Sequence, residues 1–256
     1  SMSMENRLIK LKLRGVSKTF ESKGRKFMAV KNVDLDVYDG EFLVLLGPGL
    51  CGKTVLLNMI AGLEETTTGT ICLNDKELKG PNRAIGMVFQ KKALLPWKTV
   101  MQNVEFGPQM AGVSKKERRK TAQKFIDLVG LQGFENSYPH QISGGMKQRA
   151  GIARAYANNP ELLILDEPFG ALDAQTRYSM QDEILRIWKA EKKTILFVTN
   201  NIEEALYLGD RIVLLGRCPA EVKEIYDINL TRPRDMISEE FLALRQKISD
   251  NMDLSV

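Results

Sequence analysis

Hydrophobic and polar residues alternate near the start of the chain. Leu11 and Leu13 are interleaved with Lys10, Lys12 and Arg14, and Val33, Leu35 and Val37 with Asn32, Asp34 and Asp36. A period of two places the apolar side chains on one face, so both stretches predict half-buried strands. Asp39-Gly40 then predicts a two-residue hairpin leading into Glu41 to Leu46, and hence an antiparallel start. From Phe42 onward the pattern changes. Leu43 to Leu46, Ile85 to Phe89, Leu162 to Leu165, Ile195 to Val198 and Ile212 to Leu215 are continuous apolar runs separated by helical stretches. Such runs suit strands covered on both faces, as in a parallel sheet. Helices are predicted where Leu56, Ile60 and Leu63, and later Ile184, Ile187 and Trp188, recur at helical spacing.

Between about Lys91 and Asn158 the alternation of strand and helix stops. Ser114-Lys115-Lys116-Glu117 has the form of a capping box, Ala122, Phe125, Ile126 and Val129 follow at i, i+3, i+4 and i+7, and Gly130 is a natural stop. This predicts a helical insertion in an α/β core. Near the end, Arg232-Pro233-Arg234 predicts a turn, and Phe241, Leu242, Leu244 and Ile248 a final helix. With 256 residues, 43% of them apolar, the chain is expected to form one globular unit. Its best apolar stretch, Phe42 to Leu46, is too short to span a bilayer, so a membrane link is expected only through a partner. No charged stretch leading into an apolar one signals secretion, which makes the cytosol the expected location. Cys51, Cys72 and Cys218 are scattered and lack C-x-x-C spacing, which argues against a disulfide framework or a zinc site. The net charge of +5 is spread among 32 acidic residues, and the densest basic cluster, Lys115 to Lys120, reads as a solvated helix face, so no nucleic-acid partner is expected.

Three segments carry chemistry. Gly47-Pro48-Gly49-Leu50-Cys51-Gly52-Lys53-Thr54 is a phosphate-binding loop between a buried strand and a helix. Backbone N–H groups of such a turn, and the positive end of the helix after it, point at phosphates while Lys53 reaches the outer ones and the Thr54 hydroxyl binds Mg2+. Asp166-Glu167 ends an apolar strand. There Asp166 can hold the Mg2+ hydration shell and Glu167 can orient and deprotonate an attacking water. Ser143-Gly144-Gly145 opens a second helix, a second bare N-terminus with close-approach glycines.

The order and spacing of these segments resemble the ATP-binding cassette (ABC) ATPases over nearly the whole chain. The resemblance implies an α/β fold, a P-loop NTPase (RecA-like) core with an N-terminal antiparallel β subdomain, over residues 5–90 and 158–220. It also implies an inserted helical subdomain at 91–157 and a C-terminal helical tail at 221–256. Two copies are then expected to clamp ATP and Mg2+ between them, with Ser143, Gly144 and Gly145 of one copy capping the γ-phosphate held by the other. Asp173, in Gly170-Ala171-Leu172-Asp173, lines the same seam. Gln90 corresponds to the glutamine that senses Mg2+ and water, and Phe20 to the aromatic that stacks on adenine. The apolar, Pro-broken Ala93-Leu94-Leu95-Pro96-Trp97 lies where importer permeases insert a coupling helix, so Leu94, Leu95 and Trp97 are the expected docking residues, at the inner face of the cell membrane. The strings Leu95 to Val100, Tyr138 to Met146 and Gly170 to Arg177 are similar to those of nitrate, sulfonate and taurine importers, where the permease and a solute-binding protein choose the cargo.

Two positions depart from the family. Leu50 stands in the loop where a glycine is usual, and Asn200 stands where a histidine contacts the γ-phosphate. An amide can hydrogen-bond a phosphate but cannot carry charge or shuttle a proton as imidazole can. The departures imply slow turnover and leave open an ATP-dependent dimerisation switch, or a soluble ABC protein outside transport, beside the importer ATPase. The single histidine, His140, reads as a structural residue ahead of the signature turn, and Cys51 as a small packing residue.

Overall fold

The computed structural model describes residues 6–47, 52–89 and 94–252. Contacts divide the chain into two compact units, residues 1–82 with 194–256, and residues 83–193.

The first unit begins with β1 (Ile9–Ser22) and β2 (Arg25–Tyr38). They pair antiparallel around Lys23-Gly24, where both residues take positive φ. Next come β3 (Phe42–Leu46), α1 (Lys53–Ile60), β4 (Thr68–Leu73) and β5 (Lys76–Glu77). β4 pairs with the other edge of β1, giving a sheet ordered β2-β1-β4-β5. The chain returns to this unit with β8 (Thr194–Thr199), α6 (Ile202–Leu208), β9 (Arg211–Leu215), β10 (Val222–Asp227) and α7 (Glu239–Asn251). β3 runs parallel between β8 and β9, and β10 adds to β9 antiparallel. Every residue of β3, β8 and β9 is buried, as their unbroken apolar runs require.

Asp39-Gly40 therefore does not close a hairpin. β2 and β3 belong to different sheets, and the parallel neighbours of β3 are supplied by the C-terminal part of the chain. The buried pair of Glu41 and Arg211, 2.9 Å apart, pins the starts of β3 and β9, and Arg211 also donates to the Asp36 carbonyl at the end of β2. Burial pushes the Glu41 carboxyl up, against the pull of Arg211. The tail is not purely helical, because β10 precedes α7.

The second unit holds β6 (Ile85–Phe89), α2 (Val100–Met110), α3 (Lys115–Leu128), a 3-10 turn (Pro139–Gln141), α4 (Gly144–Ala157), β7 (Leu162–Asp166) and α5 (Ala174–Glu191). β6 and β7 are parallel, and α2, α3 and α4 pack on one another. Ser114 caps α3 by accepting from Glu117 N, while the reciprocal capping box belongs to Thr99 and Gln102 at the start of α2. Asn103, fully buried, accepts from Leu95 N and donates to the carbonyls of Leu95, Lys98 and Thr99. Its amide satisfies a turn that has no regular ladder to join. Cys72, on β4, is a free thiol.

Candidate functional site

The phosphate loop starts where β3 ends. Leu46 pairs with Thr199 of β8, and Gly47 N donates to Thr199 O at 3.3 Å. A Cβ at Gly47 would lie 3.6 Å from Leu215 Cβ and 4.0 Å from Lys53 Cδ, so the Lys53 stem passes over this glycine. Gly52, at φ 80° and ψ −27°, is the N-cap of α1. A Cβ there would sit 2.0 Å from Ala29 O and 2.8 Å from Ala220 Cβ, so no side chain fits. The surrounding backbone is held by Ala220 N donating to Ala29 O at 2.8 Å. Lys53 is buried and Thr54 exposed at the first turn of α1. Pro48, Gly49, Leu50 and Cys51 lie outside the described residues, and so does Gln90.

Asn200 follows Thr199 directly and is exposed. Because Thr199 O is tied to Gly47 N, the structure brings Asn200 beside the first residue of the loop. Its neighbour Asn201 donates from N to Thr199 Oγ1 and caps α6 by accepting from Glu204 N at 2.9 Å. Phe20 lies on β1 opposite Phe27, is 38% exposed, and has Lys18 Nζ 5.2 Å from its ring centre. Lys18 is itself held by the Glu65 carbonyl and the Glu64 carboxylate.

In the second unit Asp166 is the last residue of β7, opposite Phe89, the residue before Gln90. Glu167 follows at φ 44°, a left-handed conformation that a side-chain-bearing residue adopts at a cost of roughly 1–3 kcal/mol. Gly170 N donates back to Glu167 O at 3.2 Å and closes the turn. Ser143 caps α4, its Oγ accepting from Met146 N at 3.2 Å. Asp173 caps α5 in the same way, accepting from Thr176 N at 2.9 Å and from the Thr176 hydroxyl at 2.8 Å. Chiefly the backbone hydrogen bond from Thr176, and then its hydroxyl, hold the Asp173 carboxyl below its usual range. The two capped turns meet. Cβ atoms built on Gly144 and Gly145 would lie 3.9 Å from Leu172 Cδ2 and 3.0 Å from Thr176 Cγ2.

The docking residues separate. Trp97 is 69% exposed, but Leu94 is 5% exposed and belongs to the core, which corrects its expected place on the surface. The turn tied by Asn103 faces Leu94 inward because one side of an amphipathic turn must be covered. Thr199 carries no motif that points to it, and the strings that contain Thr176, Arg232 and Arg234 do not show what those side chains hold. Among the described residues no helix is long and apolar enough to cross a membrane.

A family model described as "ABC transporter" matches residues 30–170. An uncharacterised ABC transporter ATP-binding protein of Methanocaldococcus jannaschii is 52% identical over 240 residues, which cover 94% of this chain and 90% of that protein. A taurine import ATP-binding protein of Yersinia pestis is 50% identical over 201 residues, 78% of this chain and 79% of that protein. Among solved structures, a dimeric post-hydrolysis state of an ATP-binding cassette bound to ADP and Pi is 31% identical, with a TM-score of 0.73, covering 86% of this chain and 100% of that one. On these matches, and with its Asp-Glu strand end and capped Ser-Gly-Gly helix, this chain belongs to the ABC transporter family, as an ATP-binding subunit.

Proposed function

We propose that this chain is the ATP-hydrolysing subunit of an importer for a small solute such as nitrate, a sulfonate or taurine, working as a two-fold pair of copies on the inner face of a membrane. The observation that carries the pairing is Gly144. It is exposed, it does not take positive φ, and a Cβ on it would make only an ordinary contact with Leu172. Nothing among the described residues requires a glycine there. A side-chain-free first turn at that helix N-terminus is explained by a phosphate and a loop approaching from outside, that is, by ATP held on a second copy.

Each residue then has a task. Phe20 offers a face to adenine, and the loop from Gly47 to Thr54 cradles the phosphates with Lys53 on the outer ones. Thr54, Asp166 and Gln90 are oxygen donors of the kind Mg2+ takes beside phosphate and water. Bound Mg2+ would neutralise charge building on the phosphate oxygens. Glu167, held in a strained turn, aims its carboxylate as the base for water. Asn200 donates its amide to the γ-phosphate, and Ser143, Gly144 and Gly145 of the other copy close over it. Trp97, exposed beside Leu95, offers apolar surface to the permease.

The similarity to a taurine import subunit supports the transport reading, and Asn200 supports slow turnover within it. Asn200→His should raise phosphate release by roughly tenfold, since a charged donor is worth about 1.4 kcal/mol more at a developing charge. Equal rates for the two proteins would make the switch position unimportant. Glu167→Gln should elute as a dimer with ATP on size exclusion and as a monomer without it. A monomer under both conditions would remove the basis of the pairing.

A further inference from the structure

The helix that follows Asn200 is held at both ends, and its far end is gripped by the C-terminal segment. α6 has seven residues, too few to persist without tertiary support. Its final carbonyls, which a helix leaves without internal partners, are taken up by two arginines. Arg234 Nη1 donates to Leu206 O at 2.6 Å and to Gly209 O at 2.7 Å, and Arg232 Nη2 donates to Leu208 O at 2.6 Å. Both guanidinium groups sit at the negative end of the helix, where a cation is favoured. Arg234 is buried and also donates from Nε to Leu230 O, so its fork ties α6 to the segment after β10. Arg232 reaches further. Its Nη1 donates to Asp210 Oδ1 at 2.9 Å, while Asp210 Oδ2 accepts from Phe42 N at 2.9 Å at the start of the strand that leads into the phosphate loop.

We infer that Arg232 and Arg234 are positioning residues for ATP hydrolysis, acting through α6 to hold Asn200 beside the start of the phosphate loop. This rests on the proposed contact of Asn200 with the γ-phosphate. At the near end of the helix Asn201 is fixed by Thr199 Oγ1 and Glu204 N, and Thr199 O is fixed by Gly47 N. Asn200 itself lies between these anchors, so its setting depends on where α6 is seated. The arginines touch no reacting atom. Lysine cannot replace Arg234 fully, because an ammonium lacks the planar fork that serves Nη1 and Nε acceptors at once.

The test is steady-state phosphate release by the full chain carrying Arg234→Ala, Arg234→Lys, Asn200→Ala, or Arg234→Ala with Asn200→Ala, with folding checked by circular dichroism at the assay temperature. Arg234→Ala should lower kcat by roughly tenfold, the scale of a small misplacement, and leave KM for ATP within about twofold. Arg234→Lys should recover part of the loss. In the Asn200→Ala background, removing Arg234 should cost nothing more. If Arg234→Ala fails to fold, half-exposed Arg232 takes its place in the same cycle, as Arg232→Ala. A full effect of the arginine in the Asn200→Ala background, or none beside an active effect of Asn200→Ala, overturns the clamp alone. Unchanged turnover in Asn200→Ala itself overturns both the clamp and the γ-phosphate contact on which it rests.

Discussion

Two glycine turns open helices in this molecule, and they are glycine for different reasons. Gly52, before α1, is forced by its own chain: its φ is 80°, and a Cβ would lie 2.0 Å from Ala29 O. Gly144, at the start of α4, is not. Its nearest neighbour would be Leu172 Cδ2 at 3.9 Å, and its backbone would accept any residue. Gly145 stands between them, with Thr176 Cγ2 at 3.0 Å. A glycine that packing demands speaks of the fold, and one that packing leaves unexplained speaks of what arrives from outside. The first turn is thus shaped by its own chain, and the second has the open glycine surface that the proposed capping of another copy's ATP would use.

The comparison can be broken most directly at Gly52. Gly52→Ala should destabilise the protein by about 4 kcal/mol or prevent folding, the range of severe backbone conflicts, and thermal melting reads it. A melting temperature close to that of the parent would show that the loop relaxes easily and that the close approach to Ala29 O is not binding. Gly144→Ala should do the reverse. Its melting temperature should match or slightly exceed that of the parent, since an alanine in a compatible helical position gains about 0.4–1 kcal/mol. Yet the ATP-dependent dimer of a Glu167→Gln protein should weaken by roughly tenfold or more when a methyl enters the turn proposed to face the phosphate. An unchanged dimer would leave Gly144 without a reason.

Gly145→Ala sharpens the middle of the scale. It should cost about 1 kcal/mol through crowding against Thr176, and Thr176→Ser, which removes Cγ2 but keeps the hydroxyl on Asp173, should restore most of the loss in a melt of the double variant. The smallest effect is expected at Asp173. Its carboxyl is held below the usual range, so its capping contribution is present above the unfolded carboxylate value of about 3.9 and fades as the pH falls through the lower folded value. The melting-temperature difference between the parent and Asp173→Ala should be clear at neutral pH and shrink toward zero in acid. A difference that persisted below the carboxylate range would assign the contribution to packing.

Much of this site can be read from the letters alone, because it depends on local chemistry. Lys53 and Thr54 follow a glycine at a strand-to-helix junction, Asp166 and Glu167 end an unbroken apolar run, and Ser143 and Asp173 sit where side-chain oxygens cap helices three residues ahead. Spacing and backbone preference decide such features within a few residues, so they survive in one dimension. Leu94 is less legible: an apolar residue near a proline can face either way, and Asn103, eight residues beyond Leu95 and fastened to it, turns it inward.

What the sequence by itself determined is the glycine turns that open helices, the buried strands and the capped helices, since each follows from periodicity, glycine freedom or a side-chain oxygen near free N–H groups. The tertiary structure alone decided that β3 lies between β8 and β9 and not against β2, that Thr199 O meets Gly47 N, and that two arginines from the C-terminal segment close the end of α6. Those contacts join residues far apart in the chain, and their pairing depends on which surfaces remain uncovered once the sheets have formed. A parallel strand accepts any apolar neighbour of suitable length, and a guanidinium accepts any free carbonyl, so no local pattern marks the partner.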